Sequence, residues 1–252
     1  MPFTFSHPAI VLPFDKLKRK PFSLTGLIAG SIVPDVEFLI FLRNTENFGH
    51  TWLGIIVFDI PVALLLSFVF HLLIRNTLVQ YLPKFFRVRL SGSTVFNWIN
   101  YFKENKRKVF ISVAIGILSH VLSDEFTHGD GVFVKMYSFL SSEIAIWKFT
   151  FPVYFILQLM GSLLGGLYIL WVIFKMPKGN ELPLSKGSIF YWLSMILLAA
   201  AIFGIHYLLD TTHKSFDDSI IGVTGSFLYA LVIVSIIFSK RANTAIKKSP
   251  EI

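Results

Sequence analysis

Cysteine is absent from this chain. Without it there is no disulfide framework and no thiolate metal site, so any bound metal must be held by histidine and carboxylate. Charge is scarce as well. Only 15% of the residues are Asp, Glu, Lys or Arg, against roughly a quarter in soluble domains. A soluble protein of 252 residues could not hide several uncharged apolar runs of about 20 residues, the length a helix needs to cross roughly 30 Å of hydrocarbon. A cleavable signal peptide is not expected either. Such a signal places positive charge before its apolar stretch, and here the order is reversed: residues 2–14 are largely apolar, and Lys16, Lys18, Arg19 and Lys20 follow. Long repeats, low-complexity tracts and a separate soluble domain are also lacking.

What the chain has in quantity is apolar surface: 54% of the residues are hydrophobic, and 27 of them are Phe. The apolar runs fall at 22–42, 52–74, 108–126, 150–174, 188–209 and 220–239. None alternates as a barrel strand does, and in lipid a spanning helix satisfies its own backbone. The expected fold class is therefore all-α: a polytopic membrane protein of about six transmembrane helices, one integral membrane domain over 1–252. The first run contains Pro34, Asp35 and Glu37, and a break is expected at Pro34.

Orientation follows from the 23 Lys and Arg. All but Arg43, Lys135, Lys148 and Lys214 lie in the N-terminal segment, the 75–108 stretch, the 175–187 loop or the C-terminal tail. These are alternate sides of a six-span chain, so both termini are expected in the cytoplasm. A net charge of +8 then reports topology rather than nucleic acid. The 75–107 stretch, with Arg75, Lys84, Arg87, Arg89 and Trp98, reads either as an interfacial segment against anionic lipid or as a solvated topology determinant.

Ionisable residues inside spans are costly and are functional candidates by default. Those here are Asp35, Glu37, Asp59, His71, His120, Asp124, Glu125, His206 and Asp210, with His50, His128 and His213 just outside. Asp35 lies seven residues before the outer end of its span, about 10 Å deep at 1.5 Å per residue. His50 sits at the mouth of the second span, and Asp59 lies seven residues past Trp52. His120 and Asp124 fall in the last turns of the third span and His206 and Asp210 at the end of the fifth. Four spans thus bring His and Asp to one level, which is extracytoplasmic on this topology. His120, Asp124 and His128 are spaced four apart, so their side chains share one helix face. A His and an Asp so stacked can both reach one cation. His206, Asp210 and His213 repeat the arrangement and are read as a secondary wall. Blander readings stand beside these: His71 as a packing residue, Asp59 next to Pro61 as a partner for freed backbone, Asp217 and Asp218 as caps.

The stretches Met1-Pro-Phe-Thr-Phe-Ser-His7-Pro8, Ala29-Gly-Ser-Ile-Val-Pro-Asp35, His50-Thr-Trp-Leu-Gly, Phe58-Asp59-Ile-Pro61 with His71, and Ser119-His120-Val-Leu-Ser-Asp124-Glu-Phe-Thr-His128 resemble a bacterial membrane family known as domain of unknown function 4184. That resemblance implies a multi-pass protein of the bacterial cytoplasmic (inner) membrane. More distantly, the order His, Pro-Asp, His, HxxxD is similar to the YdjM-type membrane-bound metal-dependent hydrolases and to the zinc-dependent phospholipases C. These resemblances imply His7, Asp35, His50, His120 and Asp124 as metal ligands and His128 as a further ligand or acid/base group. The final His and Glu ligands of the phospholipases have no counterpart here, so one or two metals are expected rather than three. His7 conflicts with a cytoplasmic N-terminus unless residues 2–14 dip into the membrane.

The expected function is a membrane-embedded metal-dependent hydrolase acting on a lipid or lipid-linked phosphoester. Its cofactor is a divalent metal, zinc by the ligand types, with manganese or magnesium the oxygen-rich alternatives. Zinc with an open position lowers the pKa of bound water to about 7, and Asp59 or Glu125 is available to orient that water. The partners expected are the lipid bilayer and a lipid substrate, not nucleic acid. Two other classes remain open: a carrier or proton-coupled permease using the same His and Asp, and a structural protein whose metal only staples helices.

Overall fold

The computed structural model describes residues 4–45, 48–179, 187–210, 212 and 215–247, with side chains as far as Lys240. The regular elements among the described residues are helical apart from one antiparallel hairpin, Glu143–Ile146 with Phe149–Pro152. Six helices are long and apolar enough to cross a bilayer: Leu24–Phe41, Trp52–Tyr81, Lys106–Met136, Val153–Lys175, Ser188–Leu209 and Phe216–Lys240. The chain is an all-α multi-pass membrane protein, with the six spans in the order the apolar runs indicate.

Irregular turns interrupt the first two spans. In the first, a 3₁₀ turn at Val33–Asp35 separates Leu24–Ile32 from Val36–Phe41. Pro34 has no amide proton to give to a regular helix, and the break falls where the sequence puts it. The second span contains two π turns, Ile55–Asp59 and Phe70–Ile74. Each carries an ionisable residue, Asp59 or His71, as such turns often do at functional positions.

The chain forms two compact units. The first comprises Met1–Asp35, Gly49–Leu64 and Asn105–Val172. Its core is the parallel pair Leu24–Ile32 and Lys106–Thr127. Gly30 and Gly116 let their backbones touch: a Cβ on Gly30 would stand 2.2 Å from the Val113 carbonyl oxygen, and one on Gly116 2.4 Å from that of Leu27. Small residues at such crossings are how membrane helices approach closely. Leu27, Val109, Val113 and Ile117 are fully buried along this contact. Ser23, which caps the first span, donates its N–H to Ser112 Oγ at 2.7 Å.

Short helical turns at Thr4–Ser6, Pro8–Val11 and Leu12–Lys16 precede the first span. They run beside the fourth span and in its direction: Gly165 abuts Ser6 and Ala9, and the Lys16 ammonium lies over the Trp171 ring at 5.2 Å. The amino-terminal segment is thus packed against membrane helices rather than held away from them.

The second unit comprises Val36–Phe48, Leu65–Glu104 and Ile173–Ile252. Tyr81 stacks on Tyr191 at 4.4 Å, with Met195, Ala230 and Val234 around them. The basic stretch is partly folded into the second unit. It folds into helices at Lys84–Leu90 and Trp98–Glu104, and Arg75, Arg87 and Trp98 are buried within the unit. Backbone carbonyls attract the two guanidinium groups inward: Arg75 donates to the Phe96 and Thr94 oxygens, and Arg87 to that of Leu82.

Candidate metal centre

Four ligand atoms, one each from Asp35, His50, His120 and Asp124, lie within 4.8 Å of one another. They come from three stretches of the first unit. Asp35 ends the 3₁₀ turn that Pro34 imposes. His50 directly precedes Thr51, whose side chain caps the second span by accepting from the Gly54 N–H at 3.0 Å. His120 and Asp124 stand one turn apart on the third span. His120 Nε2 is 3.4 Å from Asp35 Oδ2 and 3.3 Å from Asp124 Oδ2, and His50 Nε2 is 3.3 Å from that same Asp124 oxygen.

The orientation of His120 is fixed from behind. Its Nδ1 lies 2.8 Å from the Ser31 carbonyl oxygen. A carbonyl can only accept, so Nδ1 carries the proton and Nε2 presents its lone pair to the cluster. Metal-binding imidazoles are usually held in this way. Ser31 reaches His120 because Gly30 and Gly116 allow the two helices to touch.

The donor set fits a divalent cation. His120 is fully buried and Asp35 is 1% exposed, yet His120 Nε2 and both Asp35 oxygens make no hydrogen bond. An unsatisfied buried polar group costs about 1–3 kcal/mol, more when charged. Three such atoms aimed at one point are what a cation would satisfy. Two imidazoles and two carboxylates suit zinc, with manganese as the harder-ligand alternative.

Two more histidines border the cluster. The His7 ring stacks on His120 with centroids 4.0 Å apart, and its Nε2 is 3.8 Å from Asp124 Oδ1. Burial pushes the His7 imidazole down to about 4, so the ring is neutral at physiological pH. His128 caps the end of the third helix, with Nδ1 3.6 Å from Asp124 Oδ1. The Gln158 amide nitrogen donates to His128 Nε2 at 2.9 Å. Asp59 is fully buried and backs the turn that carries His50: a Cβ on Gly49 would stand 3.0 Å from Asp59 Oδ1.

Of the residues singled out in the sequence, Asp35, His50, His120 and Asp124 converge, and His7, His128 and Asp59 surround them. His206 and Asp210 belong to the second unit and are not part of the converging group. There Asp210 Oδ2 pairs with Arg43 at 3.5 Å and Oδ1 accepts from the Thr212 N–H and hydroxyl. His213 lies outside the described residues. Glu125, considered for water orientation, instead accepts from the Val132 N–H. Sequence reasoning missed Gln158 and the Ser31 carbonyl. Nothing local marks either one, although a lone glutamine in an apolar run is a signal that can be read.

Along one wall of the cluster lies a half-open cavity of about 460 Å³, lined by His7, Asp124 and His128 and by the facing side of the fourth span. That volume is within the roughly 300–1,000 Å³ usual for ligand sites.

Fold and site together define a multi-pass helical membrane protein that gathers buried imidazoles and carboxylates beside a cavity. The chain belongs to the family described as "Domain of unknown function (DUF4184)", whose family model matches residues 1–236. No curated protein and no solved structure matches it.

Proposed function

We propose that this protein is a membrane-embedded metal-dependent hydrolase acting on a lipid or lipid-linked phosphoester. The observation that carries the reading is the convergence of Asp35, His50, His120 and Asp124 with the hydrogen bonds of His120 Nε2 and the Asp35 oxygens unmade. A zinc ion held there supplies Lewis acidity toward a phosphoryl oxygen and lowers the pKa of water to about 7. Ser31 holds the His120 tautomer. Asp124 lies within 4 Å of His7, His50, His120 and His128 and lines the cavity, and so ties the donor set to it. His128 stands in the cavity wall as the acid/base group, and Asp59 is the second carboxylate, acting behind the His50 turn. The charge distribution of the loops supports a site toward the extracytoplasmic face of a bacterial inner membrane. The order His, Pro-Asp, His, HxxxD, which resembles that of YdjM-type hydrolases and zinc-dependent phospholipases C, agrees with the same chemistry.

A structural metal is the second reading, and one observation favours it: four protein donors suffice to close a tetrahedral zinc site. The cavity against Asp124 favours catalysis.

The test is elemental mass spectrometry on detergent-purified protein, with release of phosphate from dispersed lipid phosphoesters measured on the same sample. Near-stoichiometric zinc or manganese, lost in His120→Ala and Asp124→Ala together with turnover, is the expected result. Bound metal without any turnover leaves the structural reading. Protein that holds no metal after incubation with zinc, manganese or magnesium refutes both, and ion or proton flux in liposomes then tests the carrier reading.

A further inference from the structure

The cavity beside the cluster has its ionisable groups at one end only, with Ser6 and Ser162 among the polar side chains farther along it. His7, Asp124, His128 and Gln158 form that end. From there it runs between the amino-terminal segment and the fourth span, against Ile10, Pro13, Leu157, Gly161 and Leu164, to Tyr168. Gly161 leaves it room, since a Cβ there would meet no atom within 4 Å. Gly165 marks a close crossing: a Cβ there would stand 2.9 Å from the Ser6 carbonyl oxygen.

The length of the groove identifies its occupant. From Gln158 to Tyr168 is ten residues of helix, or about 15 Å. That is half of the roughly 30 Å hydrocarbon thickness, the depth of one leaflet. Both walls belong to segments that lie with the membrane helices, so the open side faces lipid rather than water. In that layer the molecules at hand are lipid chains, and the groove has the depth of one of them.

We infer that this groove binds a single acyl chain of a membrane phospholipid, admitted sideways from the bilayer, with the lipid's phosphoester end at Asp124, His7 and His128. The inference rests on the proposed hydrolase reading for the role of the polar end, and it names that enzyme's substrate class. Chain binding itself does not depend on turnover. Free phosphate or a short-chain ester would leave the apolar part of the groove unused.

The experiment uses the full-length protein in phosphatidylcholine vesicles containing a phosphatidylglycerol with a diazirine in the middle of one acyl chain. After illumination, labelled positions are mapped by peptide mass spectrometry. Labelling is expected on Leu157, Leu164, Ile10 and Pro13 above that on Leu159, Leu163 and Leu170, which face the opposite side of the same helix and are exposed. Gly161→Phe fills the groove and is expected to lower labelling of the groove face by about tenfold, as expelling a chain from apolar burial should. Labelling of the opposite face and metal content are expected to stay unchanged. If Gly161→Phe does not give monodisperse protein, Leu164→Trp at the rim replaces it, and Leu163→Phe on the far face is the control that changes nothing. Equal labelling on both faces, or groove labelling unmoved by the filling variant, overturns the inference. Metal content is read from the same samples. Wild type without metal refutes the hydrolase reading alone and leaves the labelling pattern to decide the groove.

Discussion

The protein has two buried polar clusters, one in each unit, and they solve the same problem in opposite ways. In the second unit, Arg75 gives Nη1 to His71 Nδ1 at 2.9 Å and to the Phe96 oxygen at 2.8 Å, Nη2 to the Thr94 oxygen, and Nε to Asn76. His71 stacks on Trp98 at 4.8 Å. The Arg75 guanidinium thus finds its acceptors within the protein. In the first unit, His120 and Asp35 bring more acceptors and ionisable groups to one point than the protein satisfies. Both clusters contain histidine in an apolar span, so residue type and depth do not separate them. The distinction lies in whether the polar atoms find partners within the protein or converge on a shared centre.

Ligand removal separates the clusters most sharply. His120→Ala is expected to weaken metal binding by more than the roughly 10–100-fold typical of residues behind the ligands, whereas His71→Ala leaves metal per chain unchanged. Equal metal loss in both variants would erase the distinction.

A smaller effect comes from the helix crossing that supports the first cluster. Gly30→Val forces side-chain atoms into the Val113 backbone. It should destabilise by about 1–3 kcal/mol as overpacking does, and reduce metal content by moving Ser31 away from His120. Retention of full metal content in a folded Gly30→Val protein would show that the crossing does not position the imidazole.

In the second unit, Arg75→Met strands the Phe96 and Thr94 carbonyls and should lower stability by about 1–3 kcal/mol. Thermal unfolding in detergent reads this, with metal content unchanged.

The smallest expected effect is on pH dependence. His7 folds with its pKa lowered from 6.5 to about 4. Below 6.5 the unfolded chain takes up this proton and the folded one does not, so stability is full above 6.5 and declines as pH falls toward 4. For metal-free protein, the drop between pH 7.5 and pH 5 should be about 1–2 kcal/mol, and smaller in His7→Gln. An identical drop in the variant would assign the effect to other groups.

The sequence reveals these features unevenly. The six spans are readable because each apolar run is long and uninterrupted, and their edges move only where burial in the fold overrides polarity. The second helix runs on to Tyr81, seven residues past the apolar run, because Arg75, Thr77 and Gln80 are buried. The 143–152 hairpin went unseen, since Ile144, Ile146, Phe149 and Phe151 merge into the apolar run behind them. The site is legible where helical periodicity fixes it, as with His120, Asp124 and His128. It is legible too where depth can be counted, as with Asp35 and His50. Depth alone does not say which groups meet: Asp210 was placed at the same level, and it pairs with Arg43 in the second unit. The tautomer of His120 depends on a main-chain oxygen 89 positions away, which no local pattern encodes.

The amino-terminal segment has a consequence for biogenesis. Residues 4–16 leave the ribosome well before Gly165 and Trp171, which they contact. His50 and Asp124 are 74 positions apart. The donor set therefore does not exist until the third span has been made. Helices must first enter the bilayer separately, and the opening residues must then find their place among them. Whatever the cluster holds is acquired only after three spans have met in the bilayer, so its presence would report that the first unit has been assembled.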